Sequence, residues 1–292
     1  MNTQASAPQP GGERQRKFFQ LVGIPEVEEK FLPFVIPDLD RDLEKGMYVT
    51  AALAAKHPNP TVKAFFSEIQ SYFQCLEAYL VRARAGDQDA YLRARRMVQC
   101  PEVPEIRFGY TREGHRGKGI GQWELSEHIF QMLFQNPALS RACAEEPDAL
   151  AFIPNVSLDR VSDLFATIGK RHLIEYTESQ AQRRGFTGMK RVVVKGVWDS
   201  SSERLADRIA VLPKPAGGPA VLLVAKGILR SSPPVREEQY AARFHGGARM
   251  SKEEVLSDAA LFPDRLIRTI REVLEDDWRF RPRRDFRDDL TD

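Results

Sequence analysis

Asp159 and Asp163 stand four residues apart in Asp159-Arg160-Val161-Ser162-Asp163. On a helix that spacing puts both carboxylates on one face. Paired carboxylate oxygens suit a hard divalent cation such as magnesium. Glu175 follows Asp163 by twelve residues, just over three helical turns, so it returns to nearly the same face if no break intervenes. Gly169 lies inside that span and puts its continuity in question. Lys226 follows the apolar run Ala220-Val221-Leu222-Leu223-Val224, where a strand would deliver its ammonium to a sheet end. These residue types suit metal-assisted phosphodiester hydrolysis. Asp159 and Asp163 would hold magnesium, and Asp163, Glu175 and Lys226 would act on the phosphate and the attacking water. The plain alternative is that Asp159 favours a helix N-terminus, Asp163 pairs with Arg160 or Lys170, and Lys226 runs into solvent.

A second group could hold a polyanion. The stretch Gly114-His115-Arg116-Gly117-Lys118-Gly119-Ile120-Gly121 precedes an amphipathic segment. Gly117 and Gly119 allow close backbone approach, while Arg112, His115, Arg116 and Lys118 supply charge and hydrogen-bond donors. The N-terminus of a following helix would favour the same anion. No Gly-Lys-Ser/Thr is present, and Gln122-Trp123 stands where a dinucleotide fingerprint needs its third glycine. The loop is therefore read as a nucleic-acid backbone contact or as a solvated turn. Arg93, Arg95 and Arg96 form a second basic cluster, and Arg279, Arg281, Arg283, Arg284 and Arg287 a third. The five histidines show neither a His-Glu-x-x-His spacing nor a nucleophile elbow nearby.

The elements that must position these groups change character along the chain. Residues 1–16 are rich in Gln, Pro, Ser and Gly and are expected to be disordered, with order starting near Phe18-Phe19. A helical region follows over 17–100. Phe65, Ile69, Tyr72, Phe73, Leu76, Tyr79 and Leu80 recur at three- and four-residue spacing, predicting a helix over 61–85, with a basic helix over 88–98. An α+β region carrying the candidate site is expected over 101–275. It contains helices at 122–135 and 138–152 and one or two across 157–185, Ser157 and Gly185 being the natural caps. Short β-type runs follow at 191–194, 209–212 and 219–224, and a helix at 262–275. A charged tail occupies 276–292. The fold class is α+β: a helical N-terminal region, then a small mixed or antiparallel sheet flanked by helices.

Composition sets the outer bounds. The chain has 292 residues, 43 Lys+Arg against 41 Asp+Glu, and three cysteines without a CxxC. An odd, scattered set of thiols points away from a disulfide framework and toward a cytoplasmic setting. No apolar stretch reaches membrane-spanning length, so no membrane partner is expected. The formal charge of +2 conceals basic segments at 93–96, 112–118 and 279–287, so a polyanion would bind locally.

Over roughly the last half of the chain a series of short motifs recurs in a fixed order: Ile153-Pro154, Leu158-Asp159-Arg160-Val161-Ser162-Asp163-Leu164, His172-Leu173-Ile174-Glu175-Tyr176-Thr177, Val197-Trp198-Asp199, Leu212-Pro213 and Leu222-Leu223-Val224-Ala225-Lys226. In them the chain resembles a family of uncharacterised bacterial proteins associated with mobile elements or defence genes. Those proteins usually carry Pro in place of Ala225. The resemblance implies that Asp159, Asp163, Glu175 and Lys226 belong to one site. At a greater distance the pattern is similar to nucleases of the PD-(D/E)xK type, although Val224 stands where their acid precedes the lysine. The expected function is a metal-dependent nuclease-like protein acting on or binding nucleic acid. The alternative is a non-catalytic nucleic-acid-binding or assembly subunit of a larger complex with protein partners.

Overall fold

The computed structural model describes residues 10–37, 39, 48–49, 51–55, 57–99, 101, 103–106, 122–230 and 236–280. The first helix, α1 (Pro10–Val22), begins ahead of Phe18-Phe19, where composition placed the onset of order. It buries both phenylalanines, Phe18 lying against Phe34, Phe186 and Phe19. Two short strands, β1 (Phe34–Val35) and β2 (Tyr48–Val49), and a short helix α2 (Ala51–Ala55) lead to α3 (Pro60–Arg84). Asn59 caps α3, its Oδ1 accepting from the Thr61 N–H at 2.9 Å, and Pro60 occupies the first turn. The predicted stripe faces inward at Phe65, Ile69, Tyr72, Phe73, Leu76 and Leu80, which are buried along with Val62, while Tyr79 is only partly buried. Asp87 then caps the basic helix α4 (Gln88–Met97), accepting from the Ala90 N–H at 3.0 Å.

Helices α5 (Gln122–Gln135) and α6 (Pro137–Glu145) follow, and a 3-10 segment over 147–152 completes the expected 138–152 helix. Ser157 caps α7 (Leu158–Ile168), its Oγ accepting from the Arg160 N–H. Helix α7 stops at Gly169 and α8 (Lys170–Arg184) starts at the next residue. A Cβ at residue 169 would lie 2.2 Å from the Phe65 ring, so only glycine lets α3 approach this junction. The break means that Glu175 does not share a continuous helical face with Asp163. Helix α8 ends at Gly185 in the left-handed conformation, φ +68°.

The β-type runs do not form one sheet. β3 (Met189–Asp199) and β4 (Arg204–Pro213) form a long antiparallel hairpin, with Val193 opposite Ile209 and a bulge between Val194 and Val197. The run 219–224 is fully buried at Val221, Leu222, Leu223 and Val224 but is mostly not a strand. Its backbone is satisfied piecemeal. The Leu222 N–H donates to the Glu105 carbonyl at 2.9 Å and the Leu223 N–H to Thr177 Oγ1 at 2.8 Å. Only β5 (Val224–Ala225) pairs, with β1, and β6 (Leu229–Arg230) pairs with β2. An unbroken apolar run has no alternating solvent face, so packing on all sides decided its partners. The α+β class stands, built from three two-stranded antiparallel pairs flanked by helices.

The single helix expected at 262–275 is part of a three-helix unit: α9 (Glu237–Phe244), α10 (Lys252–Leu261) and α11 (Pro263–Phe280). Ser251 and Glu254 form a capping box at the start of α10. One hydrophobic core runs from Phe18 to Val273, so the regions expected at 17–100 and 101–275 share it. Among the described residues no helix is long and apolar enough to cross a membrane.

Candidate functional site

Asp163, Glu175 and Lys226 engage three different sets of partners. Asp163 lies one helical turn from Arg160, whose guanidinium is 3.7 Å away. Lys226 directly follows β5 and opens a 3-10 turn, and its Nζ donates to the Glu29 carbonyl. Glu175 accepts from Arg208 of β4 at 3.4 Å and lies 3.5 Å from Nδ1 of His172. The Asp159 side chain lies outside the described residues, as does the whole of the loop bearing Arg112, His115, Arg116, Gly117, Lys118 and Gly119. Among the described residues no group of three or more His, Cys, Asp or Glu side chains is arranged to hold a metal ion.

Around Glu175 the structure builds a buried polar chain that sequence spacing did not anticipate. His172 is buried, with Nε2 3.3 Å from the Glu68 carboxylate of α3, and Arg171 donates to the same oxygen at 2.7 Å. Burial alone would raise the Glu68 carboxyl, but His172 and Arg171 outweigh it and hold it below its ordinary value. Glu68, His172, Glu175 and Arg208 thus tie α3, α8 and β4 together. Glu175, expected to be catalytic, is a member of this chain.

A second cluster of charged side chains lies elsewhere among the described residues. A cleft of about 510 Å3 opens between the α3–α4 pair and the tip of the β3–β4 hairpin. Its walls carry Arg93 and Arg96 from α4, Arg204 from β4, Tyr79 from α3, Trp198 from β3 and Glu203 from the hairpin turn. Three guanidinium groups therefore face one carboxylate. The side chain of Arg96 forms no hydrogen bond or ion pair with any described residue, and the charge of Arg204 acts on Asp199, its partner across the hairpin. Arg93 donates to Tyr79 Oη at 3.3 Å and lies 3.7 Å from Glu203 Oε2. The Tyr79 ring has the guanidinium groups of Arg82 and Arg93 each 5.7 Å from its centroid. Its hydroxyl donates to Glu203, which pushes the Tyr79 phenol above its ordinary range. Cys75 completes the cluster, Sγ lying 3.5 Å from Glu203 Oε1; burial, and then Glu203, push its thiol up to about 11.

The elements explain the placement. Arg93 and Arg96 are three apart on α4, so both point toward the hairpin, whereas Arg95 points to α5 and pairs with Glu127 at 2.7 Å. Trp198 is buried edge-on to Tyr72, which anchors the hairpin on α3. Asp199 stiffens the turn by accepting from the hydroxyls of Ser202 and Ser201, which hold its carboxyl down to about 2. The basic cluster at 93–96 was visible in the sequence. Arg204 and Glu203 were not, because only the docking of the hairpin brings them to α4, where Tyr79 is set by the packing of α3 on α4.

Fold and cleft together define an α+β protein with an arginine-walled cleft at a helix–hairpin junction. The chain belongs to the family described as a domain of unknown function (DUF8370), which it matches over residues 23–236. That span includes every residue of the cleft and stops short of α9. No curated protein and no solved structure matches the chain.

Proposed function

We propose that the protein binds nucleic acid, with the α4–hairpin cleft gripping the phosphate backbone. The observation that carries this reading is the gathering of Arg93, Arg96 and Arg204 at one cleft, Arg96 forming no hydrogen bond or ion pair with any described residue. Guanidinium groups offer forked donors that match phosphate oxygens. The Tyr79 ring at the same wall offers a surface on which a base can stack, the usual companion of such a groove in single-strand binders. The basic loop at 112–118 and the Arg-rich tail are further backbone contacts in this reading.

The test is binding of fluorescein-labelled single-stranded and duplex DNA and RNA across a salt series. Arg96→Glu and Arg204→Glu are each expected to weaken binding about tenfold. The double variant should lower the slope of log affinity against log salt by about two. Unchanged affinity and slope in the double variant would remove the cleft from the interface. Magnesium and chelator arms of the same assay test the nuclease expectation. If Asp163, Glu175 and Lys226 cleave with magnesium on Asp159 and Asp163, Asp163→Ala abolishes chelator-sensitive product while leaving binding in place. If product persists in that variant, Asp163 is not catalytic.

A further inference from the structure

We propose that Glu203 is a resident occupant of the anion cleft: its carboxylate fills the position of a ligand phosphate, and the ligand enters by displacing it. This inference rests on the cleft being an anion site. Glu203 is the one carboxylate in the wall, and its two oxygens meet the groups a phosphate would use: Arg93, the Tyr79 hydroxyl and the Cys75 thiol. The backbone supplies a second, independent observation. Residues 200–203 form a four-residue loop between the paired Asp199 and Arg204, and Glu203, its last residue, has φ +50°. Hairpin loops place glycine or asparagine at such left-handed positions, because a Cβ there crowds the following carbonyl. A glutamate at this position is strained, and such strain gathers at sites with a function to perform.

The side chain's three contacts hold the strained turn in place while the cleft is empty of other anions. When a phosphate takes Arg93 and Tyr79, the carboxylate is released to solvent and the turn is free to relax. Relaxation then offsets part of the cost of breaking the Glu203 contacts. Arg96 and Arg204 are left uncovered by Glu203 and act as the entry surface. A monoanion of low charge density gains little from such an exchange, whereas a multiply charged phosphate chain gains at all three arginines. The gate therefore favours phosphodiester or polyphosphate ligands over single carboxylates.

Glu203→Gln removes the charge and keeps the shape, and Glu203→Gly also removes the backbone strain. Two probes are used: the labelled single-stranded oligonucleotide, and sodium pyrophosphate titrated by calorimetry. Both variants are expected to bind pyrophosphate about two- to fivefold more tightly than the wild type, the range for releasing a partly exposed ion pair. The gain of Glu203→Gln should vanish in an Arg93→Ala background, which a general change in surface charge would not produce. Equal or weaker pyrophosphate binding by both variants, with melting temperatures no lower than wild type, overturns the gate. Tighter pyrophosphate binding with no oligonucleotide binding in any form keeps the gate and removes the nucleic-acid reading.

Discussion

Arg96 and His57 show how differently two polar side chains can sit on this fold. Arg96 is exposed, unpartnered among the described residues and open to a ligand. His57 is fully buried, and its Nδ1 accepts from the Asn59 N–H at 3.1 Å ahead of α3. Burial, and then the neighbouring charge of Lys63, lower its pKa from 6.5 to about 4. The folded state therefore keeps His57 neutral where the unfolded chain binds a proton. Its contribution to stability is complete above pH 6.5 and is lost as the pH falls toward about 4. The slope is about 1.4 kcal/mol per pH unit, or about 3 kcal/mol over the window. Urea unfolding at pH 7 and at pH 4.5 measures this. His57→Gln should flatten the difference between the two curves, and an unaltered difference would assign the acid sensitivity to other groups. Glu68 acts in the same direction at lower pH, since its folded pKa is lowered and its stabilising pairs are lost as it protonates.

At the scale of elements the α7–α8 junction is the informative case. Composition allowed one helix or two over 157–185, and the side chain of Phe65, about a hundred residues away in sequence, decides for two. Gly169→Ala would force a methyl carbon into that ring. It is expected to cost about 1–3 kcal/mol, the usual range for overpacking a filled core. Denaturant unfolding gives the number, and a loss below a few tenths would mean that the ring moves aside. The same junction sets the direction of α8, and through it the pairing of Glu175 with His172 and Arg208. Periodicity located both helices because their apolar positions are local. It could not say which carboxylates would meet a metal, a histidine or an arginine.

For the molecule as a whole, the family match ends at residue 236, but the core does not. Leu256, Leu266, Ile267 and Ile270 are buried, and α11 lies against α6 and α9. Lys252 donates to the Ala151 carbonyl at 2.5 Å, closing the end of the 147–152 segment. Arg271 spans the same boundary with 2.8 Å contacts to Glu145 and Glu146. A chain ended after residue 236 would expose the apolar face of α6, so it is expected to aggregate or melt well below the full chain. Circular dichroism melting and size-exclusion chromatography test this. An equally stable, monodisperse truncation would make α9–α11 an appendage rather than part of the fold.

The sequence by itself determined the helices with strong apolar stripes, the caps at Ser157 and Gly185, the two strands of the hairpin and the α+β class. Each of these depends on residues close together in the chain, where spacing and backbone preference act directly. Tertiary structure alone decided that the buried run 219–224 is mostly not a strand and meets β1 only at its end, through Val224–Ala225, rather than extending the hairpin sheet. It also placed Glu175 between His172 and Arg208, and Lys226 on the Glu29 carbonyl. The cleft is the clearest instance. Arg93 and Arg96 were legible as a basic helix face, but Glu203 and Arg204 join them only because Trp198 seats the hairpin on α3, and Tyr79 only because α3 packs on α4. No local pattern encodes that contact, since it is set by which buried surfaces fit together after the elements have formed.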